Sequence, residues 1–379
     1  MANGTRRSST DFVECGDRLP TSCPPLDSQE KLAEPTAVWD SVGLVVQPAT
    51  GGTRAVVEAL IAAGPDGVLG LVIETIGSTY TKLGTVIGIS PVQGRVGWIS
   101  GGCLESALED ESCDLREAGH AGVIEFDTRN DNDLMFGTRI GCRGLVRIAL
   151  LPLALLPGIE SILRKWASNA EDIAVGFSAT GQVQMAAGDR HLCWDLPWRS
   201  PHVPARQLQV RIPRAPQLLV FGAGPEAAVL LPWMRRLGWY VGLVERRTRW
   251  IPQLALADLG KAMMPAPAVI ALSPLNYDAA IVMNHDFELD REALESLAST
   301  GIKWIGLLGP AGRRDDLLRL LGAPLADVLC SRLHAPIGLP LGGHGPEAIS
   351  LAIAAELHGY WNRAETGAAA SGKSPRRVP

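Results

Sequence analysis

The chain has 379 residues, of which 46% are hydrophobic and 20% charged, and a formal net charge of -5. That length exceeds one ordinary domain, and the apolar share excludes a largely disordered chain. A mild negative charge without a clustered basic face gives no footprint of a nucleic-acid binder.

The first ten residues carry arginines with no apolar run behind them, so they do not read as a secretory signal. The apolar stretch from Leu145 to Leu156 is broken by Arg147 and Pro152 and falls short of the roughly 20 residues that span a bilayer. A cytoplasmic protein without a membrane segment is expected. Cysteines stand at Cys15, Cys23, Cys103, Cys113, Cys142, Cys193 and Cys330, an odd set without zinc-type pairing, so reduced thiols are expected, most of them small core residues.

Residues 1–36 are rich in Ser, Thr, Pro and charge and read as a loose tail, as do residues 363–379. Between them, strands are predicted over 68–76, 85–89 and 95–99, followed by a glycine break and a helix over 103–118 whose Leu104, Ala107, Leu108, Leu115 and Ala118 form one stripe. Further strands over 122–126 and 145–151 close a mixed α/β N-terminal domain, placed at 37–151. A connecting segment, 152–212, holds a short helix (159–167), a strand pair (173–177 and 182–185) and a Pro-rich linker at 197–204. From Gln217 strands alternate with helices, which predicts a C-terminal Rossmann-like domain, a doubly wound parallel sheet over 213–362.

After the strand 217–221 comes Gly222-Ala223-Gly224-Pro225-Glu226-Ala227, a dinucleotide fingerprint with Ala as its third small residue. Gly222 permits the tight turn, Gly224 lets an anion approach the backbone, and Ala227 lets the helix pack on the strand. Glu245, 23 positions after Gly222, stands where an acid would bond a ribose, and Arg246-Arg247 beside it could engage a phosphate. Pro225 removes an amide that could face a pyrophosphate. A nucleotide-binding shell and an altered or empty one both fit.

A second glycine turn, Ser100-Gly101-Gly102-Cys103-Leu104-Glu105, lies at the mouth of the predicted helix as a candidate anion cradle with outward amides. Cys103 would be either a thiolate favoured by the helix dipole or a small buried anchor. Cys142, in Gly141-Cys142-Arg143-Gly144, lies in another glycine-framed turn beside an arginine. Two isolated cysteines do not make a four-ligand zinc site. His285, after the strand 279–283, either faces a ligand or bonds a neighbouring backbone. His334 and His344 flank a glycine loop without metal-type spacing, and Trp233, Trp239, Trp250 and Trp304 read as packing. Glu74 and Glu105 are given no acid–base role.

Ile76-Gly77-Ser78-Thr79 followed by the Ser100–Glu105 turn, then Gly141–Gly144, Phe221–Glu226, Leu237-Gly238-Trp239, Asn284–Asp290, Ile305–Pro310 and Ala335–Leu339 resemble, in order and spacing, the segments of the XdhC/CoxI family, over about 37–360. The resemblance implies a maturation factor of the xanthine dehydrogenase group, not a catalyst. Such factors bind molybdenum cofactor (molybdopterin), protect it and support insertion of its sulfurated form into a molybdenum hydroxylase apoenzyme. It also implies a homodimer and makes a cysteine desulfurase a candidate partner. The cofactor-binding residues expected on this reading are Ser100, Gly101, Gly102, Cys103, Glu105, Gly141, Cys142 and Arg143, facing Gly222, Gly224, Glu245 and His285 across a cleft. The alternatives are an NAD(P)-dependent oxidoreductase, which needs a hydride-guiding acid or base that no residue clearly supplies, and a scaffold for a sulfur-transfer enzyme.

Overall fold

A computed structural model describes residues 51–129, 144–168, 171–199 and 207–365. Residues 1–36 and 366–379 of the predicted tails and the Gly141-Cys142-Arg143 turn lie outside the described residues, and residues 363–365, predicted as tail, instead end the last helix.

The first lobe is built on a six-stranded sheet. Its strands are β1 (Val68–Gly77), β2 (Val86–Ser90), β3 (Gly94–Val96), β4 (Ala121–Asp127), β5 (Gly144–Pro152) and β9 (Trp198–Arg199), in the order β3-β2-β1-β5-β4-β9. β1 pairs antiparallel with both β2 and β5, although β5 begins 67 residues after the end of β1. Alternation along β1 serves two cores. Leu69, Leu71 and Ile73 face helix α1 (Gly52–Ala63), while Val68 and Val72 join Leu108 and Leu115 of α2 (Glu105–Ala118). α2 ends at left-handed Gly119, where a residue with a Cβ would be strained.

Sequence pattern alone did not indicate α1, which has no side-chain cap at Gly51. It is fixed instead by a distant contact: Arg54 donates to both carboxylate oxygens of Asp258, at 2.6 and 2.8 Å, and to the Trp239 carbonyl. Helix α3 (Ile159–Ala167) buries Ile159, Ile162, Leu163 and Trp166, one helical face, near a four-stranded antiparallel sheet. The strands of that sheet are β6 (Ile173–Phe177), β7 (Gln182–Ala187), β8 (Arg190–Asp195) and β10 (Leu208–Ile212), in the order β10-β6-β7-β8. The predicted linker is partly strand: Trp198 and Arg199 pair in parallel with Ala121 and Gly122, and the Trp198 indole donates to the Gly181 carbonyl at 2.6 Å. An aromatic side chain with a polar tip found both a packing surface and an acceptor, which a count of prolines does not register.

The second lobe is an all-parallel sheet of β11 (Gln217–Phe221), β12 (Tyr240–Val244), β13 (Leu259–Lys261), β14 (Ala279–Val282), β15 (Trp304–Leu307) and β16 (Leu333–His334). Their order is β13-β12-β11-β14-β15-β16. In this lobe's own count that is 3-2-1-4-5-6, the doubly wound order whose direction reverses between the first and fourth strands. Every residue of β11 is buried, as expected of a strand covered on both faces. Leu218 and Val220 face α4 (Pro225–Arg236) and α9 (Gly345–Glu365), and Leu219 and Phe221 face α5 (Pro265–Leu272) and α6 (Phe287–Ala298). Helices α7 (Ala311–Leu321) and α8 (Ala323–Cys330) complete the lobe. Among the described residues no helix is long and apolar enough to cross a membrane.

Candidate functional site

The Ser100–Glu105 turn is held by two side chains of its own. The Ser100 hydroxyl oxygen accepts from the amides of Gly102, Cys103 and Leu104, each at 3.1 Å, and donates to Glu105 at 2.5 Å. The Glu105 carboxylate also accepts from the amides of Ile99 (3.1 Å), Ser100 (2.7 Å) and Leu104 (3.2 Å). Burial pushes the Glu105 carboxyl up, and the hydrogen bonds from Ser100 and Ile99 outweigh it, holding the group below the ordinary carboxylate range. These amides are therefore not a free anion cradle: an internal carboxylate in the first helical turn already takes the role an external anion would play.

This arrangement leaves the tip of the turn outward. Gly101, Gly102 and Cys103 are exposed, and the Cys103 sulfur lies 3.5 Å from the Ser100 hydroxyl. The small-core reading of the cysteines fails here, since Cys103, Cys113, Cys193 and Cys330 are all exposed. Cys103 borders a small cavity of about 40 Å³ whose lining includes Ser78, Thr79, Tyr80, Ser100, Thr128 and Gly144. β1 and its following loop, the turn, and the facing ends of β4 and β5 thus converge on one spot. Gly144 is required there, because a Cβ would stand 2.5 Å from the Ser78 carbonyl oxygen. The wall residues Tyr80 and Thr128 carried no sequence signal, whereas Ser78 and Thr79 belong to the Gly-Ser-Thr segment.

The Rossmann turn forms as its pattern predicts but is closed by the protein itself. Gly222 has φ 96°, and a Cβ on it would approach the Asn284 backbone to 2.5 Å. Beyond it, the Ala223 amide donates to Glu245 at 2.7 Å and the Gly224 amide donates to Gln253 at 3.1 Å. Glu245 is 1% exposed and is bound by the amides of Arg246 and Arg247 and by the Arg247 guanidinium at 2.6 Å. Burial raises its carboxyl, and Arg247 with the Ala223 amide outweighs that, leaving it below the ordinary range. Arg247 is also committed to the carbonyls of Ala223 and Asn284. Glu226 reaches back over Gly224, within 3.3 Å of where a Cβ would stand, and meets His285 Nε2 at 3.2 Å. His285 holds a left-handed backbone, φ 55°, at the carboxyl end of the sheet, and its partner is this carboxylate, not a backbone group.

Among the described residues no hydrogen bond joins the two glycine turns. Every residue lining the Cys103 cavity comes from the first lobe, and the polar contacts of Gly222 to Gly224 stay within the second. Trp239 and Trp304 are fully buried, and His334 bonds Glu356 at 2.7 Å. Glu74 pairs with Arg147. Among the described residues no group of three or more His, Cys, Asp or Glu could hold a metal ion.

A Rossmann-like lobe with an internally closed fingerprint, joined to a lobe that displays a thiol on a capped glycine turn, defines a two-lobed α/β protein. Residues 218–357 match the XdhC Rossmann domain and residues 60–127 match the XdhC and CoxI family, and the chain belongs to that family. It is 25% identical over 331 residues to a Bacillus subtilis protein named as a probable xanthine dehydrogenase subunit, covering 81% of this chain and 97% of that one. It is 27% identical over 163 residues to the uncharacterized protein YqeB of Escherichia coli, covering 40% of this chain and 28% of that one. The fold is shared with a crystal structure of a xanthine dehydrogenase from Bacillus halodurans, at a TM-score of 0.68 and 22% identity, covering 86% of this chain and 98% of that one.

Proposed function

We propose that this chain is an accessory factor of a xanthine dehydrogenase-type molybdenum hydroxylase, which holds molybdenum cofactor, shelters it and hands its sulfurated form to the apoenzyme. The observation that carries the reading is the exposed Cys103 thiol on a turn held by Ser100 and Glu105, beside a small, mostly apolar cavity in a chain of the XdhC and CoxI family. A capped turn needs no ligand to keep its shape, so cargo can arrive and leave without refolding it.

The residues fit one end of such a cofactor. A thiol is a soft donor suited to molybdenum, and the Ser78 hydroxyl is of the kind that bonds phosphate or pterin edges, whereas the hydroxyls of Thr79 and Thr128 already donate to the carbonyls of Thr81 and Gly144. The enclosed space, about 40 Å³, takes only a small group, so contact with a larger molecule would fall on the rim of Gly101, Gly102 and Cys103. When bound, the cofactor supplies the metal and sulfur chemistry that the client needs. In this chain Ser100 and Glu105 fix the turn, and Cys103 presents the thiol. A homodimer, a cytoplasmic location and a cysteine desulfurase as sulfur donor belong to the same proposal.

An NAD(P)-dependent oxidoreductase is the competing reading. Against it stand the donors of Ala223 and Gly224 and the carboxylate of Glu245, all spent inside the protein. The test is reconstitution: client apoenzyme, cofactor and sulfur donor, with and without this protein and its Cys103→Ala variant. Full activation by the variant would remove Cys103 from the proposal, and full activation without the protein would remove the carrier role.

A further inference from the structure

Strand β8 (Arg190–Asp195) is the outer strand of the four-stranded sheet, with β7 on one side and no strand on the other. The register fixes which of its backbone groups stay unpaired. The Ser178 amide donates to the Gln182 carbonyl, so these two form a hydrogen-bonded pair, and along an antiparallel ladder such pairs alternate. Gln184 and Ala186 therefore point their backbone groups at β6, and Val183, Met185 and Ala187 point theirs at β8. Their partners on β8 are Trp194, Leu192 and Arg190. The amides and carbonyls of His191, Cys193 and Asp195 face outward, and none of them has a partner among the described residues.

Proteins guard such edges with proline, a bulge or charge along the strand. β8 has no proline, its pairing with β7 runs without a bulge from Arg190 to Asp195, and its charges stand at its two ends. It is basic at its start, Arg190-His191, and acidic at its end, Asp195, while Asp189 before it is paired with Lys165 at 3.2 Å. Two copies of β8 running antiparallel bring unlike ends together, whereas parallel copies would set like against like. A two-fold axis at Cys193 also keeps the buried faces of the two sheets on the same side. It sets His191 opposite Asp195 of the second copy twice over, and Cys193 opposite its own counterpart, all through outward-facing backbone groups. On the buried side Leu192 and Trp194 oppose each other. Beside them lie the exposed Pro157 and Gly158 at the start of α3, which extend the contact beyond the strand.

We propose that a second copy of this chain docks on this edge, β8 against β8, joining the two four-stranded sheets into one continuous antiparallel sheet. The proposal rests on the homodimer reading and assigns the place where the copies meet. The Cys103 turn takes no part in it.

The test is sedimentation velocity of the full chain under reducing conditions, where the parent should be a dimer at micromolar concentration. Cys193→Pro removes one outward amide and none of the ladder to β7, a change that edge strands tolerate. It should give a monomer with unchanged circular dichroism and urea midpoint. His191→Glu sets acid against acid at both ends and should weaken the dimer about tenfold, and adding Asp195→Lys should restore it. Opposed Cys193 residues would stand about 5.5 Å apart at Cα, within disulfide reach. Diamide, which takes up two protons and two electrons as two thiols become one disulfide, should therefore crosslink the parent into a covalent dimer and leave Cys193→Ser uncrosslinked. A parent monomeric at every soluble concentration would overturn this interface and the homodimer together. A dimer that survives Cys193→Pro, or one that crosslinks equally in Cys193→Ser, would overturn this interface and leave the homodimer standing.

Discussion

Ser100 and Glu105 hold each other across the turn at 2.5 Å, and between them they satisfy the amides of Ile99, Ser100, Gly102, Cys103 and Leu104. Replacing Glu105 with Ala leaves buried donors unpaired, a loss of about 1–3 kcal/mol per unsatisfied group. Urea unfolding of Glu105→Ala should show a lower midpoint with an unchanged slope. A midpoint equal to the parent would mean that the carboxylate does not support the turn.

Cys103 should be the more reactive reporter of the site. Native protein should lose one reactive thiol to Ellman's reagent when Cys103 is replaced by Ala, with no change in unfolding midpoint, because the side chain packs against nothing in the core. A lower midpoint would point to a structural thiol.

The Rossmann turn should refuse dinucleotides. NADH and NADPH fluorescence titrations are expected to show no saturable binding up to about millimolar concentration, since the donors that would cradle a pyrophosphate are taken and Glu226 overlies Gly224. Tight binding with reduction of any carbonyl compound would contradict this and favour the oxidoreductase. In the same network, Glu245→Gln leaves the Arg247 guanidinium without its charged partner and should cost about 3–5 kcal/mol, the range for breaking a buried pair. The readout is again the urea midpoint.

Acid should weaken the protein through three carboxyls. Glu105, Glu245 and Asp258 all lie below their ordinary range. Burial raises Asp258, and the guanidinium of Arg54, with help from the Val241 amide and Arg235, more than reverses it. A carboxyl depressed in the folded state stabilises fully above its unfolded value, about pH 4, and the contribution is lost as pH falls through the folded value. Stability should therefore be insensitive to these groups between pH 5 and about 7 and fall below about pH 4. Unfolding midpoints measured down to pH 3 check the sign, and Asp258→Asn should flatten the acid limb.

Local pattern carried much of the fold. Strand β11, the small residues after it and helix α4 (Pro225–Arg236) were readable because alternation, glycine and helical stripe all lie within about 20 residues. Helix α1 was not, because its anchor, Asp258, is 204 residues away from Arg54. Nor was β13, which has three residues and no pattern of its own. At the site, the turn was legible and its internal capping was not. The same six residues that read as a cradle with free amides contain the hydroxyl and carboxylate that consume them. The closure of the fingerprint depends on Gln253, Glu226 and His285, which meet only in three dimensions.

The reconstitution assay tests the central claim most directly. Client apoenzyme supplied with sulfurated cofactor should gain activity several-fold faster with this protein than without it, and Cys103→Ala should lose most of that gain while keeping its fold. Equal rates with and without the protein would contradict the carrier role.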